Sequence, residues 1–238
     1  MEKFSLYDFL AIILPGIAFI VVFRIIFSSL HLSLPVDIPL GLESTIVYAL
    51  ICGAVLYVLS FSLVKLFPRL FGLYRHVADL YQKMKALHPI MNDTLNRQAE
   101  QWGLGKIYLS EEEFCQSEEK EKIRMLQSDF YDRMWYRLDF RGKLGNAKSF
   151  QCYYFFFRHS FWGLVLISLI LLSYKLLAYI PACDMEDIGW REYSDIAVPI
   201  MILSALFVFL AQWFRIKMVE KMYWTFYISL IEQENSNL

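Results

Sequence analysis

The stretch Asn146–Ile180 constrains this chain more than any other. Its second half, FWGLVLISLILLSYKLLAYI (Phe161–Ile180), carries a single charge, Lys175. As a helix, a segment of that length rises about 30 Å, which matches the hydrocarbon thickness of a bilayer. Its first half, NAKSFQCYYFFFRHS, contains neither proline nor glycine. The same helix is therefore expected to leave the membrane and run on into water. A membrane span that is also part of a soluble domain excludes most folds at once.

Three further apolar runs share the length of a span: Phe9–Leu30, interrupted by Arg24; Ile46–Leu66, with Lys65 near its end; and Ile196–Phe214. A soluble core helix seldom stays apolar all round for so long, so four transmembrane helices are expected. Hydrophobic residues make up 57% of the 238, which fits that reading better than a soluble one. The N-terminal run resembles a signal peptide, but Glu2 and Asp8 sit where a basic region belongs. It reads as a retained first span.

The distribution of Lys and Arg predicts the orientation. The connection His31–Thr45 has none, and Pro181–Asp195 has only Arg191 against Asp184, Glu186, Asp187, Glu192 and Asp195. The segment between spans two and three holds fifteen basic residues from Arg69 to Arg158. The tail opens with Arg215, Lys217 and Lys221. Both termini and the central segment are thus expected inside. Tyr7, Trp162 and Trp213 would mark the inner interface, and Tyr48, Tyr179 and Trp190 the outer one. The expected fold is an all-α membrane protein: spans one and two in 1–66, a cytoplasmic helical domain in 67–160, spans three and four in 161–214, and an amphipathic cytoplasmic helix in 215–238.

Local signals fill in the rest. Pro15-Gly16 should kink span one, because proline removes one helical bond and clashes with the preceding turn; alternatively, Leu6–Leu14 lies along the inner interface and the span starts at Gly16. Ala49 and Gly53, four apart, suit close helix contact in lipid, more readily with a neighbouring span than between copies. Leu73–Leu87 has a helical apolar face, Pro89 ends or kinks it, and Asn92–Trp102 resumes it until Gly103 and Gly105. Ser110 and Glu113 fit a capping box, predicting a helix from there to about Leu138. Asn146 is the expected cap of the helix into span three. Val219, Met222, Tyr223, Phe226, Tyr227 and Leu230 form a stripe that continues span four as a helix to about Glu232.

Chemistry-bearing patterns are sparse. There is no nucleophile elbow, phosphate loop or HExxH, so no enzyme activity and no cofactor is expected. The histidines (His31, His76, His88 and His159) are isolated, as are the four cysteines. Net charge is −1, which gives no reason to expect nucleic acid. The six glutamates of Glu111–Glu121 read as a solvated face. Two sets of charges stand out. Arg24 and Lys175 fall about 9 Å inside the outer boundary; they either snorkel to headgroups and loop carboxylates or line a cationic ring in an oligomer. Arg133, Arg137 and Arg141 share one helix face; they either pair with Asp129, Asp132 and Asp139 or hold a phosphorylated ligand or inner-leaflet headgroups.

YDFLAIILPG (Tyr7–Gly16) and FYDRMWYRLDFRGKLGNAKSFQCYYFFFR (Phe130–Arg158) resemble a set of uncharacterised bacterial four-span inner-membrane proteins, which themselves resemble membrane effectors and sensors of anti-phage defence. The resemblance implies an oligomer in the bacterial inner membrane. It implies a cytoplasmic domain that receives a signal or a protein partner, and no particular site residue. A small channel, or a subunit anchoring a cytoplasmic partner, is the other function expected of this layout.

Overall fold

The computed structural model describes residues 9–30, 32, 42–66, 77–85, 89–110, 113–114, 117–180 and 189–236, and among these it is helical with no strand. A π-helical turn, Phe9–Ile13, leads into α1 (Leu14–Ser29). Then follow α2 (Leu42–Leu66), α3 (Val77–Lys85), α4 (Pro89–Gln101), α5 (Lys120–Phe140), α6 (Gly145–Leu177) and α7 (Trp190–Ser236). Among the described residues, four helices are long and apolar enough to cross a membrane: Phe9–Ser29, Glu43–Ser62, Gly145–Leu177 and Trp190–Asn235. The chain divides into two compact units, Met1–Leu73 with Gln151–Phe214, and Tyr74–Phe150 with Arg215–Leu238. Expectations resting on Tyr7, His31, His76, His88, Glu111, Glu112, Cys115, Asp184, Glu186 and Asp187 lie outside the described residues.

In the first unit, small residues decide the packing. The Gly16 backbone lies against the Ala49 carbonyl, and the Gly53 backbone lies against the Ile12 carbonyl. The Ala49–Gly53 pair is thus used within the chain, on the first span. Phe23, Ile26, Phe27, Leu164, Ile167, Leu171 and Ile200 form one buried cluster, and Ala11, Tyr154, Phe155, Phe161, Trp162 and Ala211 another. Trp162 is therefore a core residue and not an exposed interfacial anchor. The outward faces stay apolar. Val47, Ile51, Val55 and Val58 are exposed along α2, as are Met201, Ile202, Leu206 and Phe209 along α7. In water such stripes would be costly; against lipid tails they are solvated by their own kind.

The second unit has a different logic, with an aromatic core under a charged surface. Leu80, Tyr81, Leu95, Phe130, Met134, Leu138, Val219, Met222, Tyr223, Phe226 and Leu230 are all buried in it. The stripe read from the end of α7 is therefore core. α3 is described to Lys85 and Pro89 opens α4, a position where its missing amide costs nothing. Gly103, at φ 75°, lets the chain leave α4. The returning segment is held by Asn96, whose side-chain carbonyl accepts from the Ile107 and Tyr108 amides and whose amide donates to the Tyr108 carbonyl. Gln127 donates to the Ile107 carbonyl.

Two expected caps differ. The capping box forms, with the Ser110 amide donating to Glu113 and the Glu113 amide donating to the Ser110 hydroxyl. The long helix nevertheless starts at Lys120, because Ser117 accepts the Glu119 amide and closes a separate turn first. Asn146 lies inside the first turn of α6, since the Lys148 amide already bonds to the Leu144 carbonyl and the helix begins at Gly145.

The buried phenols give this unit an alkaline limit. Burial raises Tyr81 and pushes Tyr108 well above the ordinary 10.0. Tyr108 and Tyr223 also share a hydrogen bond of 3.0 Å. A raised phenol favours the folded state below its unfolded value, so this stabilisation is intact below pH 10 and is lost as pH climbs beyond it. In an alkaline titration of the full chain in detergent, tyrosinate absorbance should end in a step that coincides with loss of helicity. If all fifteen tyrosines ionise in one transition with helicity retained, the buried cluster does not exist as described.

Candidate functional site

Two arrangements bring charge together in ways a linear reading does not show. The first is in the apolar unit. Arg158 is 3% exposed and His159 is fully buried. Arg158 Nη2 donates to Ser60 Oγ at 3.3 Å and Nη1 donates to the Tyr154 hydroxyl at 3.3 Å. Ser60 in turn donates to the Tyr57 carbonyl. The guanidinium lies 4.2 Å from the ring centre of Phe61, 4.7 Å from that of Phe155 and 5.2 Å from that of Tyr154. Among the described residues no carboxylate pairs with it, so ring faces and hydroxyls carry the charge.

His159 links this cation to the first span. Its Nδ1 lies 2.6 Å from the Ala11 carbonyl oxygen, and its Nε2 lies 3.2 Å from Arg158 Nη2. A carbonyl only accepts, so Nδ1 carries the hydrogen and Nε2 offers its lone pair to the guanidinium; the ring is neutral. Ala11 stands four residues before Pro15, which has no amide to return to it. The predicted cost of the proline is thus met by a histidine from another helix, within a π turn. No motif signals this pair. The only hint in the sequence is three adjacent polar residues, Arg158, His159 and Ser160, inside the aromatic run YYFFFRHSFW.

Arg24 and Lys175 are not equivalent. Arg24 is half-buried on α1, whereas Lys175 is 1% exposed, with its ammonium 4.8 Å from the Trp190 ring centre and 5.3 Å from that of Tyr179. Lys175 therefore packs inward on aromatic faces.

The second arrangement is in the charged unit. Arg133, Arg137 and Arg141 follow one another along α5 but have separate surroundings. Arg133 pairs with Asp129 at 2.9 Å and donates to the Trp102 carbonyl. Arg141 is exposed at the helix end. Arg137 alone turns into a cleft of about 280 Å³ lined by Thr94, Arg97, Gln98, Gln101, Leu230, Gln233 and Glu234. It lies over Trp102 and Phe226, at 5.7 and 5.9 Å, and donates to the Gln233 side-chain carbonyl at 2.7 Å. Burial and the neighbouring Arg141 charge pull its pKa below the usual value. Across the cleft Arg97 reaches Glu234 at 3.7 Å. The pairing of Arg137 with Arg97 was invisible in sequence, since forty residues separate them.

Among the described residues no cluster of His, Cys, Asp and Glu could hold a metal ion. No protein family matches the sequence, and no curated protein or solved structure was found similar to it.

Proposed function

We propose that this chain is a non-enzymatic, oligomeric sensor or effector of the bacterial inner membrane, with both termini and the charged unit in the cytoplasm. One observation carries the reading. α7 is a single helix whose first half exposes apolar side chains and whose second half supplies Val219, Met222, Tyr223 and Phe226 to the core of the charged unit. A segment that belongs to both an apolar unit and a charged one suits a protein that converts a cytoplasmic event into a membrane response. The asymmetry of Lys and Arg supports the orientation. The resemblance noted above supports a role in anti-phage defence.

The alternative, a membrane anchor for a cytoplasmic protein, is favoured by the solvent-facing Met125, Tyr136 and Phe140 of α5, the last 95% exposed. Membrane potential in cells expressing the chain, with and without phage challenge, separates the two. Depolarisation on challenge is expected of an effector. An unchanged potential, together with co-purification of a stoichiometric soluble protein, would favour the anchor. In the same cells, Ser149→Cys should resist a membrane-impermeant thiol reagent while Ser194→Cys reacts.

A further inference from the structure

The cleft of the charged unit has the composition of a small-anion site. It places two guanidinium groups, from α4 and α5, beside the amides of Gln98, Gln101 and Gln233 and the hydroxyl of Thr94. Three other carboxylates of this unit pair with their own cations: Asp129 with Arg133, Asp139 with Lys148, and Glu232 with Lys143. Arg137 is left with a neutral amide as its hydrogen-bond partner. Arg97 donates to the Thr94 hydroxyl at 3.4 Å and has Glu234 as its charged partner, at 3.7 Å, with the two side chains 63% and 59% exposed. A pair that long and that exposed is weak and easily exchanged. The lining carries two positive charges and one negative, so its sign favours anions. Guanidinium forks suit the oxygen geometry of phosphate and carboxylate.

We propose that this cleft binds the phosphate or carboxylate of a metabolite-sized solute, and that the Glu234 carboxylate holds the anion's place until the solute displaces it. Glu234 sits in the last turns of α7. Exchange of its carboxylate for a ligand oxyanion therefore removes one of the contacts on the end of this helix, beside those of Gln233 with Arg137 and Glu232 with Lys143. The inference rests on the sensing role proposed above and names the class of signal.

Binding is measured on the full-length chain in detergent by fluorescence, since Trp102 lies against Arg137. Ribose 5-phosphate, citrate and inorganic phosphate are titrated separately, and vesicles containing phosphatidate form a further arm. Saturable binding of a soluble anion is expected, weakened at least about tenfold in Arg97→Gln and Arg137→Gln. Glu234→Gln should tighten it several-fold by removing the internal competitor, a gain that misfolding would not produce. Three outcomes would overturn the proposal: no saturable binding of any soluble probe, a response confined to the vesicles, or equal binding by the wild type and Arg97→Gln. Depolarisation plays no part in this readout, so binding without a membrane response would fault the sensing role and leave the site standing.

Discussion

Gly53→Val should prevent the first two spans from packing, and Gly16→Val should do the same from the opposite side. A Cβ at Gly16 would overlap the Ala49 carbonyl and come within 2.9 Å of the Gly53 amide nitrogen. At Gly53 it would meet the Ile12 carbonyl and, at 3.2 Å, the Ile12 γ-methyl. The obstacles are mostly backbone, which cannot swing aside, so the helices must separate and forfeit the contact along their length. A loss of about 3 kcal/mol or more is expected, at the upper end of overpacking costs. Gly163→Ala is the internal control. Its nearest neighbours would be side-chain carbons of Leu56 and Phe19 at 3.4 Å, so the change should cost well under about 1 kcal/mol. Detergent-unfolding midpoints of the three variants provide the comparison. Equal tolerance at Gly16, Gly53 and Gly163 would show that the close approach is not formed.

The second large effect centres on His159. His159→Leu strips the Ala11 carbonyl of its donor and Arg158 of one acceptor, both in apolar surroundings. Each buried group left unsatisfied costs about 1–3 kcal/mol, so a loss of about 2–5 kcal/mol is expected. The proline supplies a sharper test. Pro15→Ala restores a backbone amide one turn after Ala11, which makes the histidine's donation redundant. In the double variant Pro15→Ala/His159→Leu, the loss should therefore be smaller than the sum of the single changes by about 1 kcal/mol or more. Strict additivity in unfolding free energy would separate the histidine from the proline and sink this account.

The apolar periodicities transmitted most of the fold. Runs such as Phe161–Ile180 are long enough that length and composition leave few alternatives, and the stripe ending at Leu230 kept its helical spacing into the core of the second unit. Boundaries were less legible, because a boundary depends on which of several nearby polar side chains takes the amides first. Ser110 and Glu113 make their reciprocal bonds, yet Ser117 intervenes and the long helix waits until Lys120. At Asn146 the Leu144 carbonyl had already accepted a bond. Sites were the least legible. Arg137 was noticed, but for the wrong company: spacing along α5 grouped it with Arg133 and Arg141, whereas folding gave it Arg97 and Gln233. His159 looked isolated because its partner is a main-chain carbonyl, a group that every residue has and no sequence pattern marks.

The part of α7 that lies in the second unit also carries an angular register. Each residue of an α-helix turns the chain by about 100°. Val219, Met222, Tyr223, Phe226 and Leu230 recur at intervals of one, three and four residues, so they fall on one face and are buried together. One residue inserted after Tyr223 would turn Phe226 and Leu230 by about 100° away from the face that Val219 and Met222 share, while two full turns, about seven residues, would restore the direction. The core of this unit therefore reads the helix as a phase: a substitution tests one side chain, whereas an insertion tests the bearing of every residue after it.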